Sequence, residues 1–171
     1  VLVYFVQSTI FADRYTGAEL FSWQSPYFEP WQLLTHVFLH GSETHLLFNM
    51  IALWSFGRVL ERVWGNRRFL LFYLVCGIGA AVISMLVDNL ILHTQINGAM
   101  VGASGAIYGI LVAFALLFPN FKIMLIFLPV PIAAKYFVPV LLLIDLTAGF
   151  TGVSIFGQNI AHFAHVGGAI V

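Results

Sequence analysis

"MVGASGAIYGILVAFALLF", residues 100–118, opens with a serine bracketed by Gly102 and Gly105 and continues without a charge into a wholly apolar run. Residues 99–118 give twenty positions free of charge, and residues 69–87 give nineteen. At ~1.5 Å per residue, either stretch comes close to crossing a hydrocarbon core of ~30 Å. The whole chain agrees: of 171 residues 61% are hydrophobic and 8% charged, with a mean hydropathy of +0.97. A soluble domain carries about a quarter charged residues. Period-two alternation is absent, which argues against a membrane β-barrel. The expected class is an all-α polytopic membrane protein, and the question is why its fourth segment begins with a hydroxyl.

The pattern divides into six segments in one domain spanning 1–171. They lie at about 1–11, 43–60, 69–92, 104–118, 134–148 and from about 160 onward. Ser42 is a plausible N-cap for the second. The first and last are too short to span alone, so both terminal helices are expected to be clipped. A polar-aromatic loop covers 12–42, a proline-broken connection begins at "PNFK" (119–122), and "GFTGVSIFGQN" (149–159) is a glycine-rich loop. The single cysteine, Cys76, allows no intrachain disulfide. A net charge of zero gives no hint of a nucleic-acid partner.

Cations set the orientation. Arg58, Arg62, Arg67, Arg68, Lys122 and Lys135 flank two turns, against Arg14 alone on the other side. Those turns are therefore cytoplasmic. Ser104 then lies ~21 Å above the inner boundary and ~10 Å below the outer one. His165 falls ~9 Å and Asn49 ~10 Å below the outer surface on their own segments. His45 shares a face with Asn49 at i, i+4. Four polar groups from three helices converge at one level.

Each has a plain structural reading. A membrane serine commonly bonds the carbonyl one turn back, and Gly105, Gly109 and Ala113 form a small-residue packing face. His36, His40 and His45 in "THVFLHGSETH" (35–45) raise a metal alternative, since imidazoles at i, i+4 suit zinc. No His-Glu-x-x-His occurs, and no carboxylate or cysteine ligand is evident at that level, so neither metal nor cofactor is expected. A transporter would line a pathway with polar groups continuing toward the cytoplasm. Instead the fourth segment after Tyr108 reads "GILVAFALLF" (109–118), closed on that side.

"HVFLHGSETHLLFN" (36–49), "GASGAIYG" (102–109) and "AHFAHVGG" (161–168), in this order and on these segments, resemble the rhomboid family of intramembrane serine proteases. "ERVWGNRRF" (61–69) fits as well. The resemblance implies a six-helix bundle in which Ser104 is the nucleophile and His165 its general base. His45 and Asn49 would donate to the oxyanion together with the Ser104 N–H. Gly102 would support the nucleophile, and Tyr108 would stack on the His165 ring. Partners would be the bilayer and membrane-helix substrates cut near the outer face, and the expected location is a bacterial inner (plasma) membrane. A non-catalytic, helix-binding relative is the alternative.

The chemistry fits the residues. Serine is a poor nucleophile until a base takes its proton, and a serine in a membrane helix is tolerated where it faces a wet cavity enclosed by protein. No acid obviously completes a triad. Asp145 is the tempting one, but the resemblance implies a Ser-His dyad, leaving Asp145 as a structural or near-interface carboxylate and His162 unassigned. Asp88, Asn89 and His93 read as interface residues. Trp23, Tyr27, Phe28 and Trp31 suit an aromatic belt at the outer interface.

Overall fold

The polypeptide alternates long apolar helices with short polar connections, as its charge distribution requires. It is described by a computed structural model covering residues 17–91, 99–125, 128–152 and 161–171. The expected first segment and the residues from 153 to 160 lie outside the described residues, as does His93.

The long first loop is ordered in its second half by α1 (Gln32–Thr35) and a 3-10 turn at His36–Phe38. Helix α2 (Glu43–Ala52) starts where expected. The Ser42 side chain accepts a hydrogen bond from the His45 N–H at 3.1 Å, satisfying a donor that a helix start otherwise strands. The helix runs on through a wider π-type turn at Leu53–Gly57 into α3 (Arg58–Trp64). Gly65, at φ 81°, breaks it, because a left-handed φ is accessible to glycine without a side-chain penalty. Helix α4 (Asn66–Leu86) extends through a π-type turn to Ile91. Helix α5 is Ser104–Leu117, α6 is Ala134–Thr151 and α7 is His162–Ile170.

Two of these, Asn66–Ile91 and Ala134–Thr151, are long and apolar enough to cross a bilayer, while Ser104–Leu117 is shorter. Their exposure follows from position. Helix α5 is hydrophobic all round and buried at residues 105–111 and 113–115, as a central helix must be. Its neighbours α4 and α6 turn Leu70, Leu71, Tyr136, Val140, Leu143 and Phe150 outward.

One expectation is corrected. The connection after 119 is not merely proline-broken coil: β1 (Lys122–Leu125) and β2 (Leu128–Ala133) pair antiparallel, with Lys122 opposite Ala133 and Ile123 opposite Ile132. The fold is thus mostly helical rather than purely so. Pro129 and Pro131 concealed the strand, since proline within a run normally argues against one. In a two-stranded ribbon both strands are edges, where proline is tolerated.

The core is built by α4, α5 and α7 packing at backbone distance. A Cβ added to Gly105 would stand 2.5 Å from the Ala80 Cβ and 3.2 Å from the Ala164 carbonyl oxygen. One on Gly168 would collide with the Gly105 backbone. Small residues permit this approach, which in lipid substitutes dispersion contact for a hydrophobic driving force. It also sets Ala164, and with it His165, beside the start of α5.

Candidate active site

Ser104 is the first residue of α5 and half-buried, so a reactant can reach it. The first N–H groups of a helix lack intrahelical acceptors and carry the positive end of the helix dipole. A serine there has donors around it without any special side chain. The His165 ring, one turn into α7, brings its Nε2 to 2.8 Å from the Ser104 Oγ. The separation of 61 residues in sequence closes across the glycine contact just described.

Tyr108, one turn below Ser104, stacks on the His165 ring with centroids 4.4 Å apart and planes 9° from parallel. Gly102 precedes the helix at φ 129°. A Cβ there would come within 2.7 Å of the His45 Cε1 and 3.7 Å of the Ser104 Oγ. Only glycine suits both the conformation and the space. His45 on α2 therefore lies directly against the approach to Ser104, and His40 packs edge-on to it at 5.2 Å. Asn49, one turn further along α2, is buried, and its side-chain Nδ2 has no hydrogen-bond partner among the described residues. A buried amide donor without an acceptor costs stability, so such a group calls for an explanation, and a transient acceptor supplies one. Ser104, His165, Tyr108, Gly102 and His45 are thus brought together, with Asn49 one turn beyond His45 on α2.

Of the two readings open for Asp145, structural or near-interface, burial favours the first: its side chain is fully enclosed, at 0% exposure. Its Oδ1 faces the His165 Nδ1 at 3.0 Å and the His162 Nδ1 at 2.6 Å, and its Oδ2 accepts from the Tyr108 hydroxyl. His162, left unassigned above, belongs to the same cluster. Asp88 is likewise buried, accepting from the Ser84 hydroxyl at 3.1 Å, while Asn89 accepts from Ser22 at 3.1 Å and ties α4 to the first loop. The signal for Asp145 was available, because an acid inside a membrane segment carries a functional hypothesis by default. Histidines three apart on one helix also share a face.

Sequence reasoning also passed over Gln32. Buried at 1% exposure, it donates to the carbonyls of Tyr27 and Gly17 and accepts from the Phe21 N–H. Its own carbonyl meets the His36 Nδ1 at 2.9 Å. The His36 carbonyl in turn accepts from the Gly102 N–H at 3.0 Å, and Leu20 and Met100 exchange backbone bonds. The first loop is therefore bonded to the segment that delivers Ser104. Of the rings expected to form an interfacial belt, Trp23, Tyr27 and Trp31 are exposed, whereas Phe28 is partly buried against Leu20, Ala81 and Met85.

A metal reading must be weighed on these atoms rather than on His36 and His40. Among the described residues, Asp145, His162 and His165 place ligand atoms within 4.8 Å of one another. Tetrahedral zinc with bonds of 2.0–2.1 Å holds neighbouring donors roughly 3.3 Å apart. The 2.6 Å and 3.0 Å separations are those of N–H groups donating directly to a carboxylate.

Residues 27–171 match the Rhomboid domain model. The chain is 38% identical over 143 residues to the rhomboid protease GluP of Bacillus subtilis, covering 83% of this chain and 24% of that one. It is 33% identical over 139 residues to the mitochondrial Rhomboid protein 1 of Saccharomyces cerevisiae, covering 81% and 39%. The Presenilin-associated rhomboid-like protein of Bos taurus mitochondria is 30% identical over 139 residues, 81% of this chain and 35% of that protein. The chain spans between about a quarter and two fifths of the length of these relatives.

Proposed function

The chain belongs to the rhomboid family of integral membrane proteins, and we propose that it is an intramembrane serine endopeptidase cutting peptide bonds in or near transmembrane helices close to the outer membrane face. The observation that carries this reading is the 2.8 Å approach of the His165 Nε2 to the Ser104 Oγ at the start of a buried apolar helix.

In this reading the Ser104 Oγ attacks the scissile carbonyl while its proton passes to the His165 Nε2. The tetrahedral oxyanion is met by the Ser104 N–H, the Asn49 amide and His45, each donor being worth roughly 3–4 kcal/mol of barrier. His165 then returns the proton to the leaving amine, and water repeats the sequence on the acyl-enzyme. The Asn49 Nδ2, without a partner among the described residues, supports an acceptor that arrives only during the reaction. Along α5 no polar side chain follows Tyr108, and Ile110, Leu111 and Phe114 are buried. That one-sided closure favours hydrolysis over a transport pathway.

The substrate class is a membrane helix whose upper part unwinds readily, because a hydrogen-bonded helix withholds its carbonyls from the serine. A six-spanning topology with the arginine-rich turns in the cytoplasm is part of the proposal. So is residence in a bacterial plasma membrane. The test is a fluorophosphonate probe on wild type and Ser104→Ala, with mass spectrometry of the fragments from a model helix. Labelling of wild type alone and cuts at the outer end are expected. Labelling that survives Ser104→Ala, or cuts at the cytoplasmic end, overturns the reading.

A further inference from the structure

Asp145 is buried on α6, opposite the face of α7 that carries His162 and His165, and three donors converge on its carboxylate. An ionised carboxylate can only accept, so each imidazole facing it must carry its proton on Nδ1. For His165 this leaves Nε2 bare, the tautomer that can accept the Ser104 hydroxyl 2.8 Å away. Without an acceptor at Nδ1, the two neutral tautomers would both be populated, and the one with a proton on Nε2 is inert as a base toward Ser104.

We propose that Asp145 is a positioning residue that converts the Ser104–His165 pair into a three-membered relay of orientation, with His162 and Tyr108 holding the carboxylate in place. The inference rests on the serine-protease reading above and adds to it. In the attack step the proton moves from the Ser104 Oγ to the His165 Nε2, giving an imidazolium, while Asp145 keeps its charge and takes no proton. Its contribution is to hold the ring's orientation and tautomer and to face the positive charge that develops. Tyr108 acts twice, its ring on the imidazole and its hydroxyl on the carboxylate. His162 occupies the second accepting direction of Oδ1, so that Oδ1 cannot rotate away from His165.

Asp145→Asn is nearly isosteric yet offers an amide in place of a pure acceptor. In the full chain in detergent or liposomes, it is expected to lower kcat by about 10²- to 10⁴-fold. KM should stay within about twofold, since no substrate contact is removed. Asp145→Glu should recover part of the lost rate. The ring-nitrogen signals of ¹⁵N-labelled histidine should report His165 protonated at Nδ1 in wild type and shifted toward Nε2 in Asp145→Asn. This readout does not depend on turnover and can be taken in the Ser104→Ala background. A purely structural carboxylate would instead lower thermal stability and leave the tautomer alone. That result, or an Asp145→Asn variant with wild-type kcat, overturns the proposal. Loss of activity on adding a chelator would assign the cluster to a metal and overturn it as well. A wild type that neither labels nor cleaves would defeat the protease reading alone, because the tautomer measurement stands apart from it.

Discussion

Tyr108 and His165 lie ring on ring, 4.4 Å apart and 9° from parallel, while the Tyr108 hydroxyl reaches past that ring to the carboxylate behind it. The two functions of this side chain are separable. Tyr108→Phe keeps the stack and loses one hydrogen bond to a charged group, so kcat should fall about 5- to 30-fold, equivalent to ~1–2 kcal/mol. Tyr108→Ala loses both and should be worse by a further tenfold or so. Steady-state cleavage of a model helix by the two variants measures the difference, and equal rates would show that the hydroxyl does all the work.

His165 and His162 share an acceptor but only His165 touches Ser104. His165→Ala should therefore cost several orders of magnitude in kcat, and His162→Ala far less. The rate of fluorophosphonate labelling at Ser104 ranks them directly. A mild His165→Ala beside a severe His162→Ala would mean the base had been misassigned.

In the proposed reading, Asn49 and His45 bind charge that exists only in the transition state. Removal of either should lower kcat more than it raises KM. Asn49→Ala should cost about 10- to 1,000-fold, softened by the remaining donors. Because the Asn49 Nδ2 has no partner among the described residues, the variant should melt no lower than wild type. A parallel loss of stability and rate would assign Asn49 to the fold instead.

Gly102→Ala forces a side chain into a φ of 129° and against the His45 ring. Conformational strain of this kind costs about 1–3 kcal/mol, and the displaced His45 should carry a loss of kcat with it. Thermal unfolding and cleavage rate measured together test both. A fully active, fully stable alanine variant would refute the packing account of this position.

Burial, and then the neighbouring His45, push the buried His40 in the first loop down to about 4 from 6.5. Below pH 6.5 the unfolded chain takes up a proton that the folded chain refuses. The stability this residue contributes is therefore complete above pH 6.5 and lost as pH falls from 6.5 toward 4. Melting temperatures across that window should fall more steeply for wild type than for His40→Gln. Parallel slopes would show that His40 titrates as a free histidine.

Hydropathy alone determined that the chain lives in a bilayer, and the placement of six arginines and lysines supplied the orientation proposed above, because both are sums over local composition. The motifs placed Ser104, His165, His45, Asn49, Tyr108 and Gly102 on their elements, since i, i+4 spacing and helix starts are local geometry. The capping of α2 by Ser42 was legible for the same reason. Other features were decided only when helices met. Asp145 sits in an apolar run of α6 whose pattern marks no inward face, so nothing within that helix says whether it looks at lipid, water or protein. Its partners lie 17, 20 and 37 residues away. The backbone approach of α7 to α5 at Gly105 and Gly168, together with the packing of α6 on α7, sets which way that carboxylate points. Gln32 and the Pro129–Pro131 strand eluded the sequence likewise, for each owes its conformation to hydrogen-bond partners supplied by segments distant along the chain or across a ribbon.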